Sequence, residues 1–320
     1  MRTESTRLRT TRQALSYAAI LGTVPYLTLK FCWLVGIPVG INDPAFMHDT
    51  GVFLLNLFTA GMDVYAIALA LVFARGWRAP APLVLFPVWV GTGFLAPIVA
   101  GVPVVGVISL LAPPAPAASG NELPLAPWVQ PLVYVGFAWQ GVCLLTAFLL
   151  YAVDRWSPVF TARIADTRDS GWAPLGYLGV ALAVVTTAVH LGYATGLDIG
   201  LSAGEVAGRT AVGRGVETIR GLAAAAGAAG VLALLLRAPR RWRFWVPVVL
   251  AWTGAGAMFS WGFWALLNIA GSTLLVSGGV SGFHLATAIV QTLGGLLLGG
   301  IALRHAATTR SASPSPAHVG

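Results

Sequence analysis

The 320-residue chain is 57% hydrophobic and only 9% charged. A soluble domain carries about 25% charged residues, so water is not its main solvent. The net charge of +8 would suit nucleic acid on a soluble protein. Here the arginines stand between apolar runs, where the positive-inside rule accounts for them, and no nucleic-acid partner is expected.

Several runs exceed the ~18 apolar residues that mark a spanning helix. Turn residues and charges divide them into eight helices, over residues 14–36, 52–74, 83–102, 128–152, 173–196, 216–236, 244–267 and 281–303. The leading MRTESTRLRTTR imitates a secretory signal. No A-x-A-like site follows it, and Lys30 interrupts the apolar stretch, so an uncleaved first helix is expected.

That first span carries 23-TVPYLTLKFCWLVG-36, in which Thr23, Tyr26, Lys30 and Trp33 share one stripe. In the second span Asn56, Thr59 and Asp63 share another. Each charge would cost about 2.5–3.5 kcal/mol alone at a helix centre. Their depths differ by about 8 Å at 1.5 Å per residue, a gap that a Lys stem largely spans. A Lys30–Asp63 pair facing the bundle is therefore expected. Such a pair either locks two helices together or marks a site. Without a nearby cation Asp63 would be neutral and able to act as an acid.

After the third span, 103-PVVGVISLLA-112 is expected to be interfacial or re-entrant. The Pro-rich 113-PPAPAASGNELPLAP-127 cannot be helical throughout. His190 lies in the fifth span with Thr186 and Tyr193 on its face, and Glu217 and Arg220 open the sixth with pairing spacing. Asn268 ends the seventh span and His284 begins the eighth. Together these polar groups suggest a cavity open to the outside. The tail 305–320 is low-complexity, with disorder expected.

The tails and the gaps after even-numbered spans hold nearly all the arginines; the other gaps hold only Arg209 and Arg214. Both termini are thus expected in the cytoplasm, in a multi-pass protein of the cytoplasmic membrane. The cluster 237-RAPRRWR-243 is suited to anionic headgroups.

The chain also matches itself. Aligning 29-LKFCWLVGIPVG-40 with 189-VHLGYATGLDIG-200 places Lys30 on His190, Trp33 on Tyr193, Gly36 on Gly196 and Gly40 on Gly200. The run 89-WVGTG-93 matches 252-WTGAG-256, and Gln140 and Gln291 occupy similar places in the fourth and eighth spans. Two parallel four-helix repeats follow, related by an axis along the membrane normal. The expected organisation is a cytoplasmic segment 1–13, a first repeat 14–153, a linker 154–172, a second repeat 173–304 and the tail 305–320.

Cys32 and Cys143 fall in separate apolar runs and read as packing residues. Trp128, Trp172, Trp242 and Trp245 fall at span ends, as interfacial belts require. The runs 221-GLAAAAGAAG-230 and 294-GGLLLGG-300 are small-residue surfaces for close helix contact. No metal ligand set and no cofactor is expected. The alternative is haem held axially by His190 and His284.

The run PYLTLKFCWLVG, the Asp-containing second span, 85-LFPVWVGTGFLAPIV-99 and 134-YVGFAWQGVCLLTAF-148 resemble a group of actinobacterial multi-pass membrane proteins. That resemblance covers mainly the first half and implies a membrane location without a mechanism. The plan of two four-helix halves is also similar to haem A synthase. That family keeps histidines in even-numbered helices, whereas His190 stands in an odd-numbered one and His48 in a loop.

The expected function is to bind or move a small molecule, transporter-like, at a polar site in the outer half of the bundle. Its residues are Lys30, Asp63, Tyr26, Asn56, His190, Glu217, Arg220, Asn268 and His284. One alternative is an intramembrane enzyme on a lipid or isoprenoid with Asp63 as catalytic acid. Another is a non-catalytic membrane partner. Membrane lipids, a small-molecule or lipid ligand, and further copies of the chain are the partners considered.

Overall fold

A computed structural model describes residues 6–43, 45–111, 125–166, 171–271 and 281–310. In chain order the helices are α1 (Thr6–Leu34), α2 (Ala45–His48), α3 (Thr50–Arg75), α4 (Ala81–Leu111), α5 (Val129–Arg155), α6 (Ser157–Thr161), α7 (Ala173–Thr195), α8 (Ala203–Ala207), α9 (Ala211–Leu236), α10 (Trp245–Ala270) and α11 (Gly282–Arg310). Of these, α1, α3, α4, α5, α7, α9, α10 and α11 are long and apolar enough to cross a membrane. All eight expected spans are present, and no strand occurs among the described residues.

The boundaries depart from expectation in four places. α1 starts at Thr6, well before residue 14. α4 runs unbroken to Leu111 through Pro87, Pro97 and Pro103, so residues 103–111 continue the helix and are not re-entrant. Each proline forfeits one backbone hydrogen bond, a loss that spanning helices tolerate where neighbours re-satisfy the backbone. α9 starts at Ala211 instead of 216, because the Thr210 side chain accepts the Gly213 N–H and caps it. α11 continues to Arg310, into the segment expected to be disordered. His305 is buried there at 2% exposure and its ring bonds the Ile301 carbonyl. The rest of that tail, residues 112–124 of the Pro-rich stretch, and residues 272–280 lie outside the described residues.

Within the first half α1 packs on α3 and α5, and α4 packs on α5. Within the second, α7 packs on α9 and α11, and α10 packs on α9 and α11. The halves meet where α4 lies along α10 and α9. At that seam the Trp89 indole donates to the Trp252 carbonyl (3.1 Å) and the Trp252 indole to the Thr92 hydroxyl (3.3 Å). Gly93 is required there, since a methyl in its place would overlap the Gly256 carbonyl. The run 221–230 serves the α9–α10 contact, with Gly227 against Gly254 and Gly230 against Ala251. Such close approach replaces the hydrophobic drive that lipid cannot supply.

The bundle has two unlike ends. Arg12, Arg75, Arg78, Arg155, Arg163, Arg237, Arg240, Arg241, Arg243 and Arg304 lie at one; Arg209, Arg214 and Arg220 lie toward the other. At the arginine-rich end two loops pair, with the Ile164 N–H on the Trp242 carbonyl (3.1 Å) and the Phe244 N–H on the Ala162 carbonyl (2.9 Å). Around the outside stand exposed apolar side chains such as Leu21, Phe31, Leu110 and Leu111, which hydrocarbon solvates and water does not.

Candidate functional site

The two halves treat their polar groups differently. In the first, the Lys30 ammonium donates to Asp63 Oδ2 at 2.9 Å, and the side chains are only 1% and 9% exposed. The ammonium also sits 3.9 Å from the centre of the Tyr26 ring, whose edge contact with Phe137 (4.7 Å) closes the site from α5. One turn below, Gln140 donates to the Thr23 hydroxyl at 2.8 Å. The expected pair is therefore formed, on the expected stripes. It is a dry ion pair, joined by a cation–π contact, between α1 and α3.

In the second half His190 stands about one turn from the end of α7, as Lys30 does on α1. Its Nδ1 lies 2.5 Å from Glu217 Oε2 on α9, and its Nε2 lies 3.1 Å from Gln291 Oε1 on α11. Arg220 donates to the other Glu217 oxygen at 3.3 Å, and its guanidinium lies 5.0 Å from the centre of the Trp261 ring. Three helices thus meet at the His190 imidazole, α7 bearing it, α9 through Glu217 and α11 through Gln291. Unlike Asp63, Glu217 is not sealed, its side chain being 23% exposed.

Glu217 forms part of the floor of a crevice of about 260 Å³ at the arginine-poor end, walled by Tyr193, Gly213 and Arg214 and rimmed by Glu205, Arg209 and His284. Arg209 is a fixture of the wall: it donates to Asp198 (2.6 Å) and to the Leu197 carbonyl, and lies 5.5 Å from the centre of the Tyr193 ring. Arg214 forms no ion pair among the described residues. The anions are all compensated, Glu217 by His190 and Arg220, Asp198 by Arg209, and Glu205 by His284 at 3.3 Å.

The rim helix α8 is built by a capping box, in which Glu205 takes the Ser202 N–H at 2.7 Å and returns its own N–H to the Ser202 hydroxyl. That backbone hydrogen bond from Ser202, helped by His284, holds the Glu205 carboxyl below its ordinary range. A depressed folded value contributes order that is present above the ordinary carboxylate range and lost as pH falls through the folded value. The protection of the 203–207 amides, with intrinsic exchange rates divided out, is expected to fall selectively as acid protonates Glu205. Glu205→Ala, which removes the acceptor for the Ser202 N–H, should show the reduced protection already at neutral pH.

The first half has a counterpart. α3 and α9 are both 26 residues long, and end-to-end alignment sets Val52 on Gly213, Phe53 on Arg214 and Asn56 on Glu217. Val52, Phe53 and Asn56 line a hollow with Trp33, Leu34, Phe46 and Met47 beneath α2. Its volume is about 10 Å³, at the limit for a single water. The two hollows, each beside the first two long helices of its half, therefore differ. One is filled by apolar side chains; the other is open and charged.

Of the nine expected site residues, His190, Glu217, Arg220 and His284 come together around the open crevice. Lys30, Asp63 and Tyr26 form the separate dry cluster. Asn56 lines the filled hollow, and the Asn268 amide donates to the Trp264 carbonyl of its own helix (2.8 Å). Glu205, Arg209, Arg214 and Gln291 were not expected at the site. Arg209 and Arg214 did carry a signal, as the only arginines in the arginine-poor gaps. For haem, both His190 ring nitrogens are engaged by protein side chains, so axial ligation there would require breaking one of these contacts. Among the described residues no group of three His, Cys, Asp or Glu is placed to hold a metal.

The fold and site define a polytopic, all-helical protein of membrane-spanning character. Comparison with protein-family models, with curated proteins and with solved structures finds no match for the chain.

Proposed function

We propose that this is a protein of the cytoplasmic membrane, with both termini in the cytoplasm, that binds or moves a small molecule in the crevice between α7, α8, α9 and α11. The carrying observation is the contrast between the two hollows, one filled and one open to about 260 Å³ with ionic walls. Drug-sized ligands occupy sites of about 300–1,000 Å³ with few, fixed polar groups, so the crevice suits a small metabolite.

The contrast acquires meaning if the halves are parallel repeats, and local geometry supports that reading. Gly36 and Gly196 both take left-handed backbone (φ 86° and 106°), as do Gly40 and Gly200 (φ 70° and 75°). The Trp33 indole donates to the Val39 carbonyl and the Tyr193 hydroxyl to the Ile199 carbonyl, six residues on in each case. Asp49 caps α3 through the Val52 N–H, and Thr210 caps α9 through the Gly213 N–H. The carbonyls of Gly40 and Gly200 each accept from the residues before the fourth helix of their half, from the Ala126 N–H and the Ser281 hydroxyl. A duplicated binding place, kept in one half and filled in the other, accounts for these coincidences.

The Asp63-acid reading draws no support from the geometry. A carboxylate 2.9 Å from an ammonium and 9% exposed is not presented to a substrate, and the pair is better read as a lock between α1 and α3. Native mass spectrometry of the purified protein tests the proposal. A co-purified small molecule at one per chain is expected; a ligand-free spectrum from protein extracted gently from its own membrane would count against it.

A further inference from the structure

We infer that His190 and Glu217 hold one exchangeable proton between them at the crevice floor, so that the crevice ligand enters with a proton or in exchange for one. The second clause rests on the crevice being the binding site.

The inference follows from counting donors. Gln291 Oε1, 3.1 Å from His190 Nε2, can only accept, so Nε2 carries a hydrogen. Nδ1 then faces a carboxylate oxygen at 2.5 Å. Two bare acceptors repel at that distance, and a proton between them turns the contact into a short charge-assisted hydrogen bond. Arg220 on the other carboxylate oxygen favours the charge on Glu217 and the proton on the imidazole.

Access distinguishes this pair from its counterpart. Lys30, aligned with His190, is sealed against Asp63 at 1% exposure. His190 is 7% exposed, but its partner Glu217 is 23% exposed and lines the crevice, so water reaches the shared proton by way of the carboxylate. The ion pair is thus closed to water in the half whose hollow is filled and in reach of it in the half whose hollow is open.

The surrounding charges come from every element packed on this part of α7. α9 contributes Arg214, Glu217 and Arg220, α11 contributes Gln291 and His284, α8 contributes Glu205, the preceding loop contributes Arg209, and α7 itself contributes Tyr193. Only Glu217 bonds the imidazole as an anion. An anionic ligand beside Arg214 would strengthen proton retention; a cationic one would displace the proton.

The test is nitrogen NMR of the full chain labelled at its five histidines, in micelles near neutral pH. His190 is assigned by the signals lost in His190→Gln, or by elimination through single replacement of the other four. Both ring nitrogens of His190 are expected to be protonated, and Glu217→Gln should lower the protonated population about tenfold or more at the same pH. A neutral wild-type ring with hydrogen on Nδ1 alone, the pattern produced if Gln291 presents its NH2 group instead, overturns the inference whatever the mass spectrum shows. A protonated pair in a protein that carries no molecule in the crevice overturns the coupling and leaves the pair. With both present, retention of the co-purified molecule should change about tenfold across the titration of the pair, and a pH-independent retention overturns the coupling.

Discussion

Lys30→Met is expected to destabilise the bundle by about 3–5 kcal/mol, because it leaves Asp63 buried without its cation. Asp63→Leu alone should cost a similar amount by stranding the ammonium, which the Tyr26 ring only partly compensates. The double change Lys30→Met with Asp63→Leu should return to within about 1 kcal/mol of the parent, since apolar groups of similar volume replace buried pairs with little loss. Thermal unfolding in a fixed detergent measures all three. If the single changes prove silent, the pair does not hold α1 to α3. If the double variant is as unstable as the singles, the site depends on more than charge compensation. The sealed geometry also predicts that the stable double variant keeps whatever activity the parent has, and this separates the lock from the crevice.

Gly213→Val with Arg214→Phe gives the second half the residues that line the first-half hollow, Val52 and Phe53. The expected result is a folded protein whose co-purified molecule is reduced about tenfold or more, because apolar side chains narrow the crevice beside Glu217 and the Arg214 charge is removed. Glu217 and its partners remain, so the loss would come from the narrowed space and the missing Arg214 charge and not from a broken ion pair. The reciprocal change, Val52→Gly with Phe53→Arg, should not create binding. The Asn56 floor, with Lys30 committed to Asp63, offers no free charge partner. Native mass spectrometry with a helicity measurement on the same samples reads both variants.

Much of this architecture was legible in the sequence because hydrocarbon imposes a harsh rule: a spanning segment must be apolar and helical throughout. Arginine placement added the two unlike ends. The ion pair was legible because two lone charges in adjoining apolar spans have few other places to go. The extent of α4 was not legible, since Pro103 reads as a breaker although a neighbouring helix supports the backbone there. The start of α9 was missed because Thr210, a cap, was hidden among loop residues. The site itself was only half visible. His190, Glu217, Arg220 and His284 stood out as polar groups near span ends. That Glu217 and His284 line one crevice, with His190 and Arg220 bonded to Glu217, whereas Asn56 and Asn268 stand elsewhere, depends on helix rotation and on the short helix α8, and neither leaves a periodic signal. The filled hollow was invisible for the opposite reason, because Val52 and Phe53 look like any lipid-facing pair.

Thiol labelling from outside the cell tests most directly whether one half holds an open crevice and the other a filled one. With Cys32 and Cys143, the free cysteines, replaced by alanine, Gly213→Cys and Val52→Cys are each exposed to a membrane-impermeant maleimide. Residue 213 is exposed and residue 52 is buried at 6%. Rapid labelling at 213 with little or none at 52 is the predicted result. Equal labelling at the two positions, or labelling at 52 alone, would contradict it.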